Sequence, residues 1–143
     1  MMKVKIKKLA DAAIIPKYQS EGASGFDFHS VEDVIIDRGC TTTISTGLAM
    51  SIPTGFELQI RPRSGLSLKT GLRVANAPGT IDSDYRGEIK IIIHNASNRA
   101  EEIKIGDRIA QGVVAPVKYI TFEEGELDET ERGEGGFGST GNA

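Results

Sequence analysis

A short stretch near the C-terminus carries groups able to grip a phosphorylated ring compound. Arg132 offers a guanidinium fork for phosphate oxygens, Phe137 a flat ring for a planar partner, and Ser139 and Thr140 hydroxyls that donate to an anion. They are interleaved with Gly133, Gly135, Gly136, Gly138 and Gly141, and glycine loses more backbone freedom on ordering than any other residue. The segment therefore needs a partner to fix its shape, and its groups suit a nucleotide polyphosphate. Composition alone leaves the plainer reading of a frayed terminus open. The run from Gly133 to Gly138 matches G-x-G-x-x-G, but that pattern binds a dinucleotide only between a strand and a following helix, and here the chain stops within five residues. No Lys follows the glycines as a phosphate-binding Walker loop requires.

A second cluster spans residues 76–88, where Asn76, Asp82, Asp84 and Tyr85 fall within thirteen positions. Pro78-Gly79 predicts a tight turn and the segment from Glu88 a returning strand, so these residues are expected at the tip and mouth of a hairpin. Hairpin backbone can mimic a base partner, and the Asn76 amide both donates and accepts. An ordinary acidic surface turn has the same composition. A third cluster is Arg63 followed by Ser64-Gly65-Leu66-Ser67-Leu68-Lys69-Thr70-Gly71. The spacing predicts a helix of about two turns, capped by Ser64 and stopped by Gly71, with backbone N–H groups beside Arg63 as an anion site. A capped surface helix with an incidental Arg is the alternative.

The rest of the chain reads as short β-type runs bounded by turns, at residues 4–6, 26–28, 34–36, 41–46, 48–52, 56–60, 88–94, 102–105, 109–114 and 118–122. Phe56-Glu57-Leu58-Gln59-Ile60 alternates apolar with polar, as a strand with one buried face does. Many short strands with little helical periodicity predict an all-β sandwich, jelly roll or barrel.

The totals narrow the function classes. A chain of 143 residues with 38% hydrophobic and 26% charged residues is one domain's worth, and it has no apolar run long enough to cross a bilayer. Basic residues near the start have no apolar stretch behind them, so no secretory signal is expected. One cysteine and two histidines, Cys40, His29 and His94, assemble no zinc or iron centre. A lone cysteine suits a reducing compartment, and Cys40 is expected in the core. The net charge of −3 argues against general nucleic-acid binding. Asn95-Ala96-Ser97 matches a glycosylation acceptor formally but reads as structural.

Taken together the residues resemble the trimeric dUTPase family, the deoxyuridine 5'-triphosphate nucleotidohydrolases. Five motifs stand in the family's order: Ala23-Ser24-Gly25-Phe26-Asp27-Phe28; Arg61-Pro62-Arg63-Ser64-Gly65-Leu66; the segment 76–88; Gly106-Asp107-Arg108-Ile109-Ala110-Gln111; and Arg132-Gly133-Glu134-Gly135-Gly136-Phe137-Gly138-Ser139-Thr140-Gly141. The resemblance implies an all-β, single-domain, jelly-roll or β-barrel-like fold over residues 1–124, one short helix after the second motif, and a flexible Gly-rich C-terminal arm over 125–143 that closes on the nucleotide.

It also implies roles. Asp82 matches the general base that activates water against the α-phosphorus of dUTP, releasing dUMP and pyrophosphate. Such activity limits uracil incorporation into DNA and supplies dUMP for thymidylate synthesis. Tyr85 matches the residue under the deoxyribose that excludes a 2′-hydroxyl. Asn76, with Gly79, Thr80 and Ile81, matches the uracil readers. Arg63, Ser64, Gly65, Lys90, Gln111 and Arg132 match further substrate contacts, and Phe137, Gly138, Ser139 and Thr140 match the closing arm. Arg108 matches either a ligand contact or a structural ion-pair partner. Mg²⁺ is the implied cofactor, held chiefly by the phosphates, with Asp27 supporting it indirectly through water. The implied assembly is a homotrimer with shared sites, without nucleic-acid or membrane partners, in the cytoplasm or, for a viral or eukaryotic chain, the host cell interior or nucleus.

Three positions depart from the commonest family wording: Phe26 for Tyr, Thr70 for His, and Gly112 for a bulky aliphatic residue, which is expected to weaken its strand. The same-fold rival is a dCTP deaminase, possibly bifunctional. A nucleotide-gated regulatory binding protein is the rival of another class.

Overall fold

The computed structural model describes residues 1–142. Eleven strands and one helix follow in the order β1 Lys5–Lys8, β2 Phe26–His29, β3 Val34–Ile36, β4 Thr41–Ser45, β5 Leu48–Ser51, β6 Phe56–Arg61, α1 Ser64–Lys69, β7 Leu72–Val74, β8 Gly79–Ile81, β9 Lys90–Asn95, β10 Glu101–Ile103 and β11 Arg108–Pro116. A four-stranded sheet β2-β11-β6-β8 and a three-stranded sheet β4-β9-β7 are accompanied by the pairs β1-β5 and β10-β3, every pairing antiparallel.

Alternation explains which side chains enter the core. In β9, Ile91, Ile93 and Asn95 turn inward, and in β6, Leu58 and Ile60 do. With Phe28, Ile44, Leu48, Leu72 and Ile109 they make one continuous apolar core, each side chain removing water-exposed hydrocarbon worth about 1.5–3 kcal/mol. Buried Asn95 is fully satisfied: Nδ2 donates to Ile36 O and Arg99 O, both at 2.8 Å, while Oδ1 accepts from Ser97 N at 2.9 Å and Ser97 Oγ at 2.7 Å. That network, not a sugar, accounts for the Asn95-Ala96-Ser97 triplet.

Several expectations are corrected. Residues 118–122 form no strand, and Tyr119, Ile120 and Phe122 are exposed. Among the described residues the segment pairs with no strand, and its backbone groups are left to water. Residues 76–88 form no hairpin either. β8 leaves to pair with β6 while β9 pairs with β4 and β7, so the segment links the two larger sheets. β7 and β8 are three residues each, too short for alternation to register.

Cys40 is exposed rather than buried. It closes the β3–β4 turn after Gly39, which has φ 71°, and its backbone is bound on both sides: Cys40 N donates to Asp37 O and Asn95 N donates to Cys40 O. In α1 the capping residue is Arg63, without a side-chain cap bond, and Ser64 is the first helical residue. The helix closes at Thr70, whose N–H and hydroxyl both donate to Leu66 O. Gly71 lacks a positive φ, and a Cβ there would fall 2.5 Å from Ser97 N, so it permits close approach to the β9–β10 turn instead of ending the helix.

Gly112 does not loosen its strand. A Cβ on it would lie 2.6 Å from the Phe26 ring and 2.7 Å from Phe28, so the aromatic pair occupies the space a larger residue would need. Phe26 in turn meets Phe28 and Tyr18 edge-to-face, at centroid distances of 5.6 and 5.5 Å.

Candidate functional site

The structure gathers three of the motifs into one pocket, lined by Gln19, Ala23, Gly25, Asp27, Arg63, Ser64, Gly65, Arg108 and Gln111. Asp27 comes from β2, Arg108 and Gln111 from β11, and Arg63 to Gly65 from the start of α1, immediately after β6. Because β2 and β6 flank β11, the strand order alone sets these residues side by side.

At the centre Asp27, 8% exposed, accepts from two guanidinium groups: Arg63 Nε at 3.0 Å on Oδ1 and Arg108 Nη1 at 3.3 Å on Oδ2. Two cations around one carboxylate leave an excess positive charge, suited to an incoming anion. The six-residue helix carries little macrodipole, so the arginines supply most of that attraction. Gln111 Nε2 donates to Pro62 O at 2.9 Å, fixing the α1 entry against β11. A Cβ on Gly25 would reach within 2.6 Å of Gln111 Oε1, which explains glycine there.

His29 lies opposite Arg108 in the β2–β11 ladder. Burial lowers its pKa below the ordinary 6.5; the Asp27 charge opposes this, and Arg108 and Arg63 reinforce it. Its Nδ1 is buried without a partner.

Asp82 is elsewhere. It follows β8, whose Ile81 pairs with Leu58 of β6, and it lines a separate concavity with Phe56, Glu57, Ser83, Asp84, Val117 and Tyr119. Asp82 thus lies near the beginning of β6, whereas Arg63 and Ser64 lie beyond its end. Five to seven extended residues separate the two by roughly 15–20 Å. A single α-phosphorus cannot touch both.

Tyr85 stays with Asp82. Tyr85 N donates to Asp82 O at 3.1 Å, and its hydroxyl donates to Glu88 O at 2.8 Å. Asn76 is exposed and its amide lies over Gly79, where a Cβ would come 3.2 Å from Nδ2. Thr80 is exposed opposite Gln59 and Ile81 is half-buried opposite Leu58. Lys90 is exposed at the start of β9, opposite Ser45, and lines neither concavity.

The C-terminal stretch is a run of turns bonded within itself: Gly135 N donates to Arg132 O, Ser139 N to Gly136 O and Gly141 N to Gly138 O. Arg132 Nε donates to Gly135 O at 2.8 Å. Phe137 adopts φ 52°, a costly conformation for a side-chain-bearing residue, with its ring fully exposed. Gly138, Ser139 and Thr140 are exposed beside it, and Ala143, the last residue of the expected arm, lies outside the described residues.

Sequence reasoning missed Gln19 in the first pocket, and Phe56, Glu57 and Tyr119 beside Asp82. Gln19 lies in a loop without local pattern, Phe56 and Glu57 meet Asp82 through the pairing of β6 with β8, and Tyr119 lies in the extended segment after β11, so no sequence signal marks them. No cluster of three or more His, Cys, Asp or Glu suited to a metal occurs among the described residues, and both Asp27 oxygens face arginines. With both oxygens engaged, Asp27 would reach a divalent cation only through water.

The chain is similar to known proteins over nearly its whole length. A family model described as dUTPase matches residues 11–141. The deoxyuridine 5'-triphosphate nucleotidohydrolase of Nautilia profundicola is 61% identical over 141 residues, covering 98% of this chain and 99% of that protein. A solved dUTPase mutant of Staphylococcus bacteriophage 80alpha with dUpNHpp superposes with a TM-score of 0.92 at 28% identity, over 99% of this chain and 100% of that one. A dUTPase mutant of phage phi11 of S. aureus, described as revealing the coordination of a structural Mg(II) ion, reaches a TM-score of 0.81 at 25% identity, over 88% of this chain and 98% of that one. With a family model matched over residues 11–141 and a relative 61% identical over nearly the full length of both chains, the chain belongs to the dUTPase family.

Proposed function

We propose that this chain hydrolyses dUTP to dUMP and pyrophosphate in a site assembled between copies of itself. The observation that supports this most is the pocket around Asp27, in which Arg63 and Arg108 share one carboxylate beside Ser64, Gly65 and Gln111. That pocket holds the phosphates, and Asp82 is brought to it by another chain, because within one chain it lies at the other end of β6.

Asp82 takes a proton from water as the water oxygen bonds to the α-phosphorus, and the bond from that phosphorus to the bridging oxygen breaks, releasing pyrophosphate. Positioned bases of this kind contribute roughly 10²–10⁴ in rate. Mg²⁺ held by the phosphates, with Asp27 reaching it through water, would supply charge neutralisation at the phosphate oxygens and at the leaving pyrophosphate. Arg63, Ser64, Gly65 and Gln111 orient the phosphates, and Asp27 fixes the arginines. Tyr85 packs under the deoxyribose, and Asn76 with Gly79, Thr80 and Ile81 reads uracil. Lys90 is a further substrate contact. The arm over residues 125–143 closes over the nucleotide, Arg132 reaching phosphate and Phe137 covering the ring, with Gly138, Ser139 and Thr140 beside it. The assembly proposed, from the resemblance to the trimeric family, is a homotrimer, and the activity serves to keep uracil out of DNA and to supply dUMP, in the cytoplasm or a host cell compartment.

The test is pyrophosphate release from dUTP, dCTP, dTTP and UTP with Mg²⁺. Release from dUTP alone is expected. Ammonia from dCTP would favour deamination and overturn the reading.

A further inference from the structure

Gly87 has no conformational reason to be glycine, since its backbone is outside the left-handed region, where seven other glycines of the described chain lie. Its reason is a neighbour. A Cβ on Gly87 would stand 2.5 Å from Tyr85 Oη, 2.7 Å from Cζ and 3.0 Å from Cε1. The first two are distances that real Cβ atoms essentially never show, so a side chain at 87 and the present Tyr85 ring exclude each other.

The ring is otherwise pinned at its far end, where Oη donates to Glu88 O at 2.8 Å. Glu88 is itself tied to the core: its carboxylate accepts from Gly47 N at 3.0 Å, and the next residue, Ile89, exchanges bonds with Leu48 and buried Thr46, Ile89 N to Leu48 O at 2.8 Å and Thr46 Oγ1 to Ile89 O at 2.5 Å. Arg86 ties the turn from within, donating to Ser83 O at 2.6 Å and Tyr85 O at 3.1 Å. Backbone on both sides of Gly87 is therefore fixed, and an added methyl group must displace the ring, which has an open side at 43% exposure.

We propose that Gly87 is a specificity-determining positioning residue: by leaving room for the Tyr85 ring to lie back against the chain, it sets the floor under the sugar and hence the refusal of ribonucleotides. The inference rests on the sugar-facing role of Tyr85 in the proposed function. Gly87 itself touches no substrate. Once the ring is displaced, its plane no longer closes the space a 2′-hydroxyl would need.

The experiment compares wild type, Gly87→Ala, Tyr85→Ala and the double variant, measuring kcat/KM for dUTP and UTP, thermal midpoint and the Gly87 Hα chemical shift. Gly87→Ala is expected to raise the UTP-to-dUTP ratio about tenfold or more, the scale of a pocket misfit of one methyl group. In the Tyr85→Ala background the same change should move the ratio less than twofold, because no ring remains to displace. An equal change in both backgrounds, or none in either, would overturn the proposal. Should Gly87→Ala not fold, the double variant is expected to fold, and its failure to do so would also count against the ring as the reason. The Gly87 Hα resonance reads the contact without substrate: it should be ring-shifted in wild type and lose that shift in Tyr85→Ala. A wild type that keeps the ring shift but leaves dUTP intact would refute the functional reading alone, while an unshifted resonance would refute the contact.

Discussion

Ser64 and Asp82 stand at opposite ends of β6, Ser64 beyond its last residue and Asp82 beside Glu57 near its first. One chain thus holds an arginine-lined pocket and, at the other end of β6, the carboxylate proposed above as the base, and the two cannot serve the same phosphorus. The proposed activity depends on chains meeting so that one supplies each.

Asp82→Asn keeps the side chain's size and removes its basicity. Affinity for a non-hydrolysable dUTP analogue is expected to change little, while turnover falls by about 10²–10⁴. Calorimetric binding alongside pyrophosphate release separates the two, and near wild-type turnover would remove Asp82 from its role.

Asp27→Asn leaves Arg63 and Arg108 without their counter-charge in a half-enclosed pocket. The expected loss is about 1–3 kcal/mol of stability, seen as a lower thermal midpoint. Triphosphate should recover more of that midpoint in the variant than in wild type, because its oxygens supply the missing negative charge. An unchanged midpoint would show the ion pairs to be energetically idle.

Gly112→Val places atoms where the Phe26 and Phe28 rings already lie, and overpacking of this kind costs about 1–3 kcal/mol. Pairing it with Phe26→Ala, which vacates the space, should recover part of the loss in chemical denaturation. Additive losses would mean that the two positions do not compete for volume.

His29 makes stability depend on pH. Its folded pKa is below the ordinary 6.5, so between the two values the unfolded chain binds more protons. The contribution is fully present above 6.5 and is lost as pH falls through 6.5 toward the folded value. Denaturation from pH 8 to 5 should show this loss, and His29→Gln should flatten that part of the curve. An equal slope in the variant would assign it to other groups.

Much of this was legible in the sequence, for reasons that differ by residue. Leu58 and Ile60 announced β6 because alternation over six residues is hard to mimic, and Asp27, Arg63 and Gln111 stood in motifs whose spacing survives any folding detail. β7 and β8 did not show, since three residues hold too little pattern. Cys40 misled because cysteine is usually buried, and its exposure follows from turn geometry around Gly39. The 118–122 run has strand composition but pairs with no strand among the described residues. The division between Ser64 and Asp82 was hidden because sequence order lists motifs along a line, whereas antiparallel pairing of β8 with β6 sends Asp82 back toward the start of β6.

The most direct measurement takes Arg63→Ala and Asp82→Ala, each expected to be inactive alone, unfolds and refolds them together, and follows pyrophosphate release from dUTP. If the phosphate pocket and the base come from different chains, random assembly restores about a quarter of the sites with both groups intact. A mixture as inactive as its two components would contradict a site shared between chains.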